Sequence, residues 1–171
     1  AGVPGSVAGL YEAHRKFGTR PWAELVQPAI NFAERGFVVD TAFTEDSDDA
    51  TARLAKDSAS AALFLVNGRY AAIGTTWRAP QLAAVLRRIA ERGRDGFYKG
   101  ETARLIAAAM EKHGGIITPS DLANYRPVWR TPIEFEYREH RVVSMPPASS
   151  GGLTLALILG VVGQRDIASL G

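Results

Sequence analysis

One stretch, residues 144–152, constrains the fold more than any other part of the chain. Its sequence is Ser-Met-Pro-Pro-Ala-Ser-Ser-Gly-Gly, so paired prolines, serines and glycines follow one another. Because proline fixes φ and lacks an amide hydrogen, neither a helix nor an inner strand continues through this stretch. A β-patterned run precedes it and an apolar run, residues 153–162, follows it. We therefore expect a rigid corner between a strand and a helix.

The serines of this corner permit two interpretations. Hydroxyls and free amide hydrogens at the start of a helix form a place where an anion binds favourably. Alternatively, Ser149 and Ser150 cap the helix that begins near Gly152, and the prolines fix its entry angle. The second interpretation is favoured. The nucleophile-elbow pattern Gly-x-Ser-x-Gly is absent, because Ala148 occupies the position that its first glycine would need.

The rest of the chain predicts a helix-rich α+β fold. Alternating polar and apolar side chains predict paired strands at 133–137 and 141–145, and Asn67-Gly68 predicts a hairpin turn between extended runs at 61–66 and 69–73. Helical spacing predicts seven helices, with an interruption or kink at Pro28 in the second and a buried position for the last. They are 6–17 with Ser6 as cap, 21–35 with Pro21 in the first turn, an irregular one from Asp40 or Thr41, 81–91, 101–112, 119–125 capped by Thr118 and Asp121, and 152–162.

Composition excludes several kinds of site. The chain has no cysteine, which excludes disulfides, thiolate nucleophiles and cysteine-based metal centres. Its 20 basic and 18 acidic residues give a net charge of only +2, which argues against nucleic acid or an anionic membrane surface as a partner. The longest apolar run has about ten residues, against the ~20 that a membrane-spanning helix requires.

Histidines and carboxylates give no clear catalytic or metal site. A Ser–His–acid triad can be written from either corner serine with His14, His113 or His140, but a chain of this length almost always supplies those residue types. His14 lies on an apolar helical stripe and is interpreted as a partly buried structural residue. The three histidines are far apart and no His-Glu-x-x-His motif occurs, so we expect no bound metal.

Charged residues also group in three places. Glu134 and Glu136 share one strand face, which suits general acid/base chemistry, although an exposed polar face with Phe135 and Tyr137 inward is the usual arrangement. The carboxylates at 45–49 lack the glycine and closing glutamate of an EF-hand loop, so they are interpreted as a solvated helix face. The helix dipole explains, without a phosphate ligand, the arginines near the end of the helix at 81–91, namely Arg87, Arg88, Arg92 and Arg94.

A set of motifs in a fixed order carries a family resemblance. The motifs are Gly2-Val3-Pro4-Gly5-Ser6-Val7-Ala8-Gly9, Phe17-Gly18-Thr19-Arg20-Pro21-Trp22, Val26-Gln27-Pro28-Ala29-Ile30, Ala33-Glu34-Arg35-Gly36-Phe37, Phe97-Tyr98-Lys99-Gly100, Gly114-Gly115-Ile116-Ile117-Thr118, Asp121-Leu122-Ala123-Asn124-Tyr125 and the corner itself. Together they closely resemble the large-chain region of the γ-glutamyltransferase family (γ-glutamyltranspeptidase, glutathione hydrolase). The resemblance covers nearly the whole chain and is weakest at 40–60.

The resemblance implies a fold and an activity. The fold would be part of the N-terminal-nucleophile hydrolase fold, an αββα sandwich, incomplete in this chain. A precursor would cleave itself, and the new N-terminal threonine of the small chain would take the γ-glutamyl group from glutathione or a related amide and pass it to water or an amino acid. No cofactor is implied, and a periplasmic or secreted bacterial protein is suggested.

The family's functional residues do not carry over to this sequence. The threonine is expected beyond Gly171 and the arginine that holds the substrate carboxylate before Ala1, and Ala148 replaces a proline usual in the family. We therefore expect residues 1–171 to be a single segment of the large chain, lacking upstream strands and the downstream catalytic chain, with no catalytic, substrate-binding or metal-binding residue of its own. Its partner would be the catalytic small chain. Alternatives are a related hydrolase, such as a cephalosporin acylase or a poly-γ-glutamate-processing enzyme, and a free-standing helical interaction module.

Overall fold

The computed structural model describes residues 2–44 and 47–164, and within those ranges the chain forms ten helices and six strands. The helices are α1 (Ser6–Phe17), α2 (Trp22–Arg35), α3 (Thr41–Thr44), α4 (Ser47–Leu54), α5 (Ser58–Phe64), α6 (Pro80–Arg92), α7 (Asp95–Tyr98), α8 (Gly100–Lys112), α9 (Pro119–Asn124) and α10 (Gly151–Val162). The strands are β1 (Phe37–Val38), β2 (Leu65–Val66), β3 (Arg69–Tyr70), β4 (Thr76–Trp77), β5 (Ile133–Tyr137) and β6 (His140–Ser144). The chain divides into two compact units, of which the first ends at Pro127 and the second begins at Val128. None of the described helices combines the length and the apolar character that crossing a bilayer demands.

Helices α2 and α6 pack against each other in the first unit. Both were predicted from their apolar stripes, and Ile30 of α2 and Ile89 of α6 are buried. The indole Nε1 of Trp22 donates a hydrogen bond to the carbonyl of Ile89 at 2.9 Å, which ties the start of α2 to the end of α6. The expected interruption at Pro28 does not occur, since α2 runs unbroken to Arg35. Because proline has no amide hydrogen, the carbonyl four residues before Pro28 lacks its helical partner. Pro28 is exposed, so water can bind that carbonyl instead.

Strands β1 and β4 form an antiparallel pair that the sequence did not predict. Phe37 lies opposite Trp77 in this pair, and the two rings are 5.6 Å apart. Phe64 stacks on Trp77 with ring centroids 5.7 Å apart, and the Trp77 indole donates to the carbonyl of Leu63 at 3.0 Å. Aromatic contacts therefore gather the two-residue strands and the end of α5 into one cluster.

The extended run expected at 61–66 is wrong for most of its length. Residues 61–64 form the end of α5, because the side chain of Asp57 caps this helix by accepting from the Ser60 amide at 2.7 Å and alanine favours helix. Only Leu65 and Val66 are extended, and they pair with β3. The predicted hairpin turn is confirmed, with φ of 52° at Asn67 and 76° at Gly68.

Helix starts agree with the sequence only in part. The expected cap at Ser6 is wrong, because Gly5 occupies the cap position and Ser6 is the first helical residue. Pro21 precedes α2 rather than lying in its first turn. Asp40 caps α3 as expected, accepting from the Phe43 amide at 3.0 Å. The capping box of α9 is confirmed, and Glu45 and Asp46 of the acidic run lie outside the described residues.

In the second unit, β5 and β6 form the predicted antiparallel hairpin, with a two-residue turn at Arg138 and Glu139. Phe135 and Tyr137 are half-buried and the glutamates between them are exposed, which confirms the expected alternation. The buried position expected for α10 is wrong within this unit. Only its Gly152 is buried, while Leu157 and Val161 are 63% and 67% exposed. The hairpin is too small to cover an apolar helix on more than one side.

Candidate functional site

The corner holds α10 through one serine rather than two. Ser149 Oγ accepts a hydrogen bond from the Gly151 amide at 3.3 Å, so it satisfies one of the amides that a helix start leaves unpaired. Ser150 occupies the cap position, but its side chain forms no capping hydrogen bond. The capping interpretation is therefore confirmed for Ser149 and wrong for Ser150, whose contribution is the carbonyl that accepts from the Thr154 amide at 2.9 Å.

Gly152 sets the distance between α10 and the end of β6. A Cβ at this position would collide with the carbonyl oxygen of Met145 and would lie 3.0 Å from Ser144 Oγ. The adjacent Gly151 has space, because its nearest neighbour would be Ser149 Oγ at 3.6 Å. The second glycine of the corner is therefore required by close packing, whereas the first is not.

The described residues of the second unit do not form a catalytic triad at the corner. His140 begins β6 and the corner follows its end, and the four residue steps from His140 to Ser144 span about 13 Å of strand. Glu134 forms an ion pair with Arg141 across the hairpin, and both side chains are largely exposed. An exposed pair of this kind stabilises by at most about 1 kcal/mol and gives no sign of general acid/base work.

The other two histidines belong to the first unit. His14 Nε2 lies 2.7 Å from the carbonyl of Arg20, and its ring packs against Trp22 at 5.2 Å. The half-buried structural role expected for His14 is confirmed by these contacts. His113 lies exposed at the end of α8.

Carboxyl groups whose pKa departs from its usual value are all explained by local hydrogen bonds. The pKa of Asp57 is lowered by the Ser60 amide and that of Asp121 by the Thr118 side chain. Hydrogen bonds from Lys99 to Asp95 and from Arg104 to Glu101 lower the pKa of those carboxyls in the same way. A general acid at neutral pH needs a raised pKa, which none of these four has. Histidines and acids do not gather into a possible metal site anywhere in residues 2–44 and 47–164.

Tyr98 is a buried polar residue of the first unit whose hydroxyl forms two hydrogen bonds. Its ring is fully buried, and its hydroxyl donates to the carbonyl of Pro4 at 2.5 Å and accepts from the Ala8 amide at 3.3 Å. Burial raises the pKa of this phenol, so it remains a neutral hydrogen-bonding group. One side chain of α7 thus holds both the segment before α1 and the first turn of α1.

A cluster of buried residues surrounds Tyr98. Leu122 is also fully buried, and Tyr125 stacks on Tyr98 with ring centroids 5.6 Å apart. Gly5 lies against the Tyr125 phenol so closely that a Cβ there would collide with it. Three motifs that are distant in sequence, at residues 2–9, 97–100 and 121–125, therefore meet at one point. In the sequence, Tyr98 stands out only as part of the motif at 97–100, and no local signal identifies its distant partners.

Known proteins resemble this chain over its whole length. A model of the gamma-glutamyltranspeptidase family matches residues 1–171. The glutathione hydrolase proenzyme of Pseudomonas aeruginosa is 42% identical over 174 aligned residues, covering 96% of this chain and 29% of that protein. The acylase ACY 1 proenzyme of Pseudomonas sp. strain SE83 is 40% identical, covering 99% of this chain and 30% of that protein.

A solved structure shows the same fold. The crystal structure of Helicobacter pylori gamma-glutamyltranspeptidase matches with a TM-score of 0.94 and 40% identity, covering 100% of this chain and 49% of that one. The predicted fold class, a helix-rich α+β part of the N-terminal-nucleophile hydrolase fold, is thereby confirmed. The chain spans about 30% of the length of the two proenzyme relatives.

Proposed function

The chain belongs to the γ-glutamyltranspeptidase family, as its motifs predicted, and we propose that it is the scaffold part of an enzyme that transfers γ-glutamyl groups. The donor would be glutathione or a related amide, and the acceptor water or an amino acid. The observation that carries this proposal is the match of the family model to residues 1–171, and three motifs of the resemblance meet around Tyr98 in this chain.

In the proposed reaction, the catalytic group comes from another segment of the same precursor. The N-terminal threonine of the small chain would attack the γ-carbonyl carbon while its own amine takes the hydroxyl proton. An ester to the threonine forms, the amide C–N bond breaks, and the leaving amine receives the proton. Water or an amino acid amine then attacks the ester and regenerates the threonine. The names of two relatives, both proenzymes, support processing of a precursor.

The residues of this chain would act by holding other segments in place. The Tyr98 hydroxyl fixes residues 4 and 8, and the corner fixes α10 against β6. Exposed leucine and valine side chains of α10, such as Leu157 and Val161, form an apolar surface that would pack against further structure. This face counts against a free-standing helical interaction module, which would leave it in water.

A direct assay tests the proposal. The full-length protein that carries this segment should release the aniline from a γ-glutamyl anilide, and the release should accelerate when an acceptor amino acid is added. The isolated 171-residue chain should give no turnover. Turnover by the isolated chain would place the catalytic groups within it and would contradict the scaffold role.

A second candidate function is hydrolysis of a cephalosporin-type amide. A solved structure of cephalosporin acylase from Bacillus halodurans matches this chain with a TM-score of 0.88 and 35% identity over 96% of this chain. Its similarity is close to that of the Helicobacter pylori transpeptidase, so overall similarity in this segment does not separate the two substrates. Parallel assays of the full-length protein with a γ-glutamyl anilide and with an acyl-cephalosporin should decide between them. A higher kcat/KM for the γ-glutamyl substrate is the result that we expect.

A further inference from the structure

A small cavity in the first unit is lined by three arginines. Its volume is about 240 Å³, and one wall is the face of α1 that carries Tyr11, Glu12 and Arg15. Arg94, which precedes α7, and Arg126, which follows α9, also line the cavity, together with Ala8 and Pro127. The positions on α1 are three and four residues apart, so they face the cavity as one stripe of the helix.

Two of these arginines are held side by side by the same acceptors. Arg94 Nη2 donates to the carbonyl oxygens of Ala123 and Tyr125 at 3.1 and 2.6 Å. Arg126 Nη1 donates to the same two oxygens at 3.0 and 2.7 Å. Because each oxygen accepts from both cations, the two guanidinium groups lie next to each other despite their like charge. The backbone thus fixes a pair of positive charges in a defined position.

The cavity retains unused hydrogen-bond donors. Arg94 Nε has no hydrogen-bond partner within the described residues but is shielded from solvent, so the donors open to the cavity are those of Arg126 and Arg15. Arg126 is exposed, and its hydrogen bonds to the two backbone carbonyls use only one of its three nitrogens. Arg15 is exposed and forms neither an ion pair nor a hydrogen bond with the described part of the chain. A guanidinium carries five N–H donors, so several remain for a ligand.

Acidic groups balance this positive charge only in part. Asp95 accepts from Arg94 Nη1 at 3.2 Å, but Lys99 shares the same carboxylate at 2.9 Å. Glu12 lies in the lining, yet it forms no ion pair within the residues described. The lining itself therefore carries three positive charges and one negative charge.

We propose that this cavity binds a small oxyanion of phosphate type. Arginine side chains match the oxygens of a phosphate group with charge-assisted hydrogen bonds, and a bound anion would relieve the repulsion between Arg94 and Arg126. The bound anion would also link α1 to the segment after α9 through Arg15 and Arg126. Its ligand is a group bearing phosphate-like oxygens.

Titration with inorganic phosphate tests the proposal. The full-length protein should bind phosphate saturably in a calorimetric titration at constant ionic strength, where chloride gives no saturable heat. Replacing Arg15→Gln or Arg126→Gln should raise the Kd about tenfold or more, since each removes a charged hydrogen-bond donor. Arg15→Gln alters an exposed side chain with no structural contact, so this variant should fold normally.

A matched variant distinguishes a site from general attraction to positive charge. Arg130→Gln removes the same charge from an exposed side chain that does not line the cavity. Its Kd for phosphate should equal that of the unaltered protein. Equal weakening by Arg130→Gln and Arg15→Gln, or the absence of saturable binding in the unaltered protein, would overturn the proposal.

Discussion

The phenol of Tyr98 donates a hydrogen bond to the carbonyl of Pro4, which lies 94 positions earlier in the chain. The same oxygen accepts from the Ala8 amide, so one buried atom holds two backbone groups around the start of α1. The hydrogen bond to the Ala8 amide is buried, whereas the one to the Pro4 carbonyl is part-buried. The hydroxyl, rather than the ring alone, therefore joins the first motif of the family to α7.

Removing this hydroxyl should destabilise the protein. Tyr98→Phe leaves the Pro4 carbonyl and the Ala8 amide without their partner, at an expected cost of about 1–3 kcal/mol in the free energy of unfolding. Urea unfolding measures the change. Tyr125→Phe is the matched control, because the Tyr125 hydroxyl forms no hydrogen bond with the described residues and its loss should cost less than about 0.5 kcal/mol. Equal losses in the two variants would contradict the role assigned to the Tyr98 hydroxyl.

The two glycines of the corner should respond differently to alanine. Gly152→Ala places a methyl group against the Met145 carbonyl and should destabilise the protein by about 1–3 kcal/mol. Gly151→Ala has space and should be neutral or stabilising by up to about 1 kcal/mol, because alanine favours a helix. Thermal unfolding of both variants measures the difference. A destabilised Gly151→Ala variant would show that the corner tolerates no side chain at either position.

The corner serines should prove structural in an activity assay. Ser149→Ala removes a helix cap and should cost about 1 kcal/mol of stability, whereas Ser150→Ala should cost less. Both variants of the full-length protein should keep kcat for a γ-glutamyl anilide within a few-fold. Loss of a nucleophile lowers kcat by about a million-fold in a well-studied hydrolase, so a collapse of turnover in either variant would identify a catalytic serine.

Acid should weaken α9 through Asp121. The Thr118 side chain and amide lower the pKa of Asp121, so the unfolded chain binds its proton more readily than the folded chain does. The stabilising contribution is therefore complete above the ordinary carboxyl pKa of about 3.9 and is lost as the pH falls toward the lower folded value. Unfolding midpoints measured across this pH range should show that Asp121→Asn is less stable at neutral pH and that the gap narrows in acid.

A second substitution gives the reference for this pH profile. Glu91→Gln removes an exposed carboxylate that forms no ion pair in the described structure, and its stability should follow that of the unaltered protein at each pH. A constant gap between Asp121→Asn and the unaltered protein at all pH values would exclude the carboxylate as the cause.

Elements set by short-range chemistry could be predicted from the sequence. The capping box at Thr118 and Asp121 and the turn at Asn67-Gly68 each depend on residues within four positions, and both were located correctly. The hairpin of β5 and β6 has five-residue strands, which are long enough for alternation to be visible.

Elements set by distant partners could not be predicted in the same way. Strand β1 pairs with β4 some forty positions later, and each has only two residues. Neither strand is long enough to show an alternation of polar and apolar side chains. Residues 61–64 resemble a strand in composition, but the cap at Asp57 makes them helical. The burial of α10 was inferred from its composition, although an apolar sequence does not identify what covers it. The partners of Tyr98 and of Arg94 were missed for the same reason.

The link between Tyr98 and Pro4 also has a consequence for the order of folding during synthesis. Helix α1 has twelve residues, and a helix of that length is only marginally stable alone in water. Its anchor at Tyr98 and the stacked Tyr125 leave the ribosome much later, after roughly 6 to 25 seconds at ordinary rates of translation. The first motif, at residues 2–9, is therefore synthesised well before its contacts with Tyr98 and Tyr125 can form.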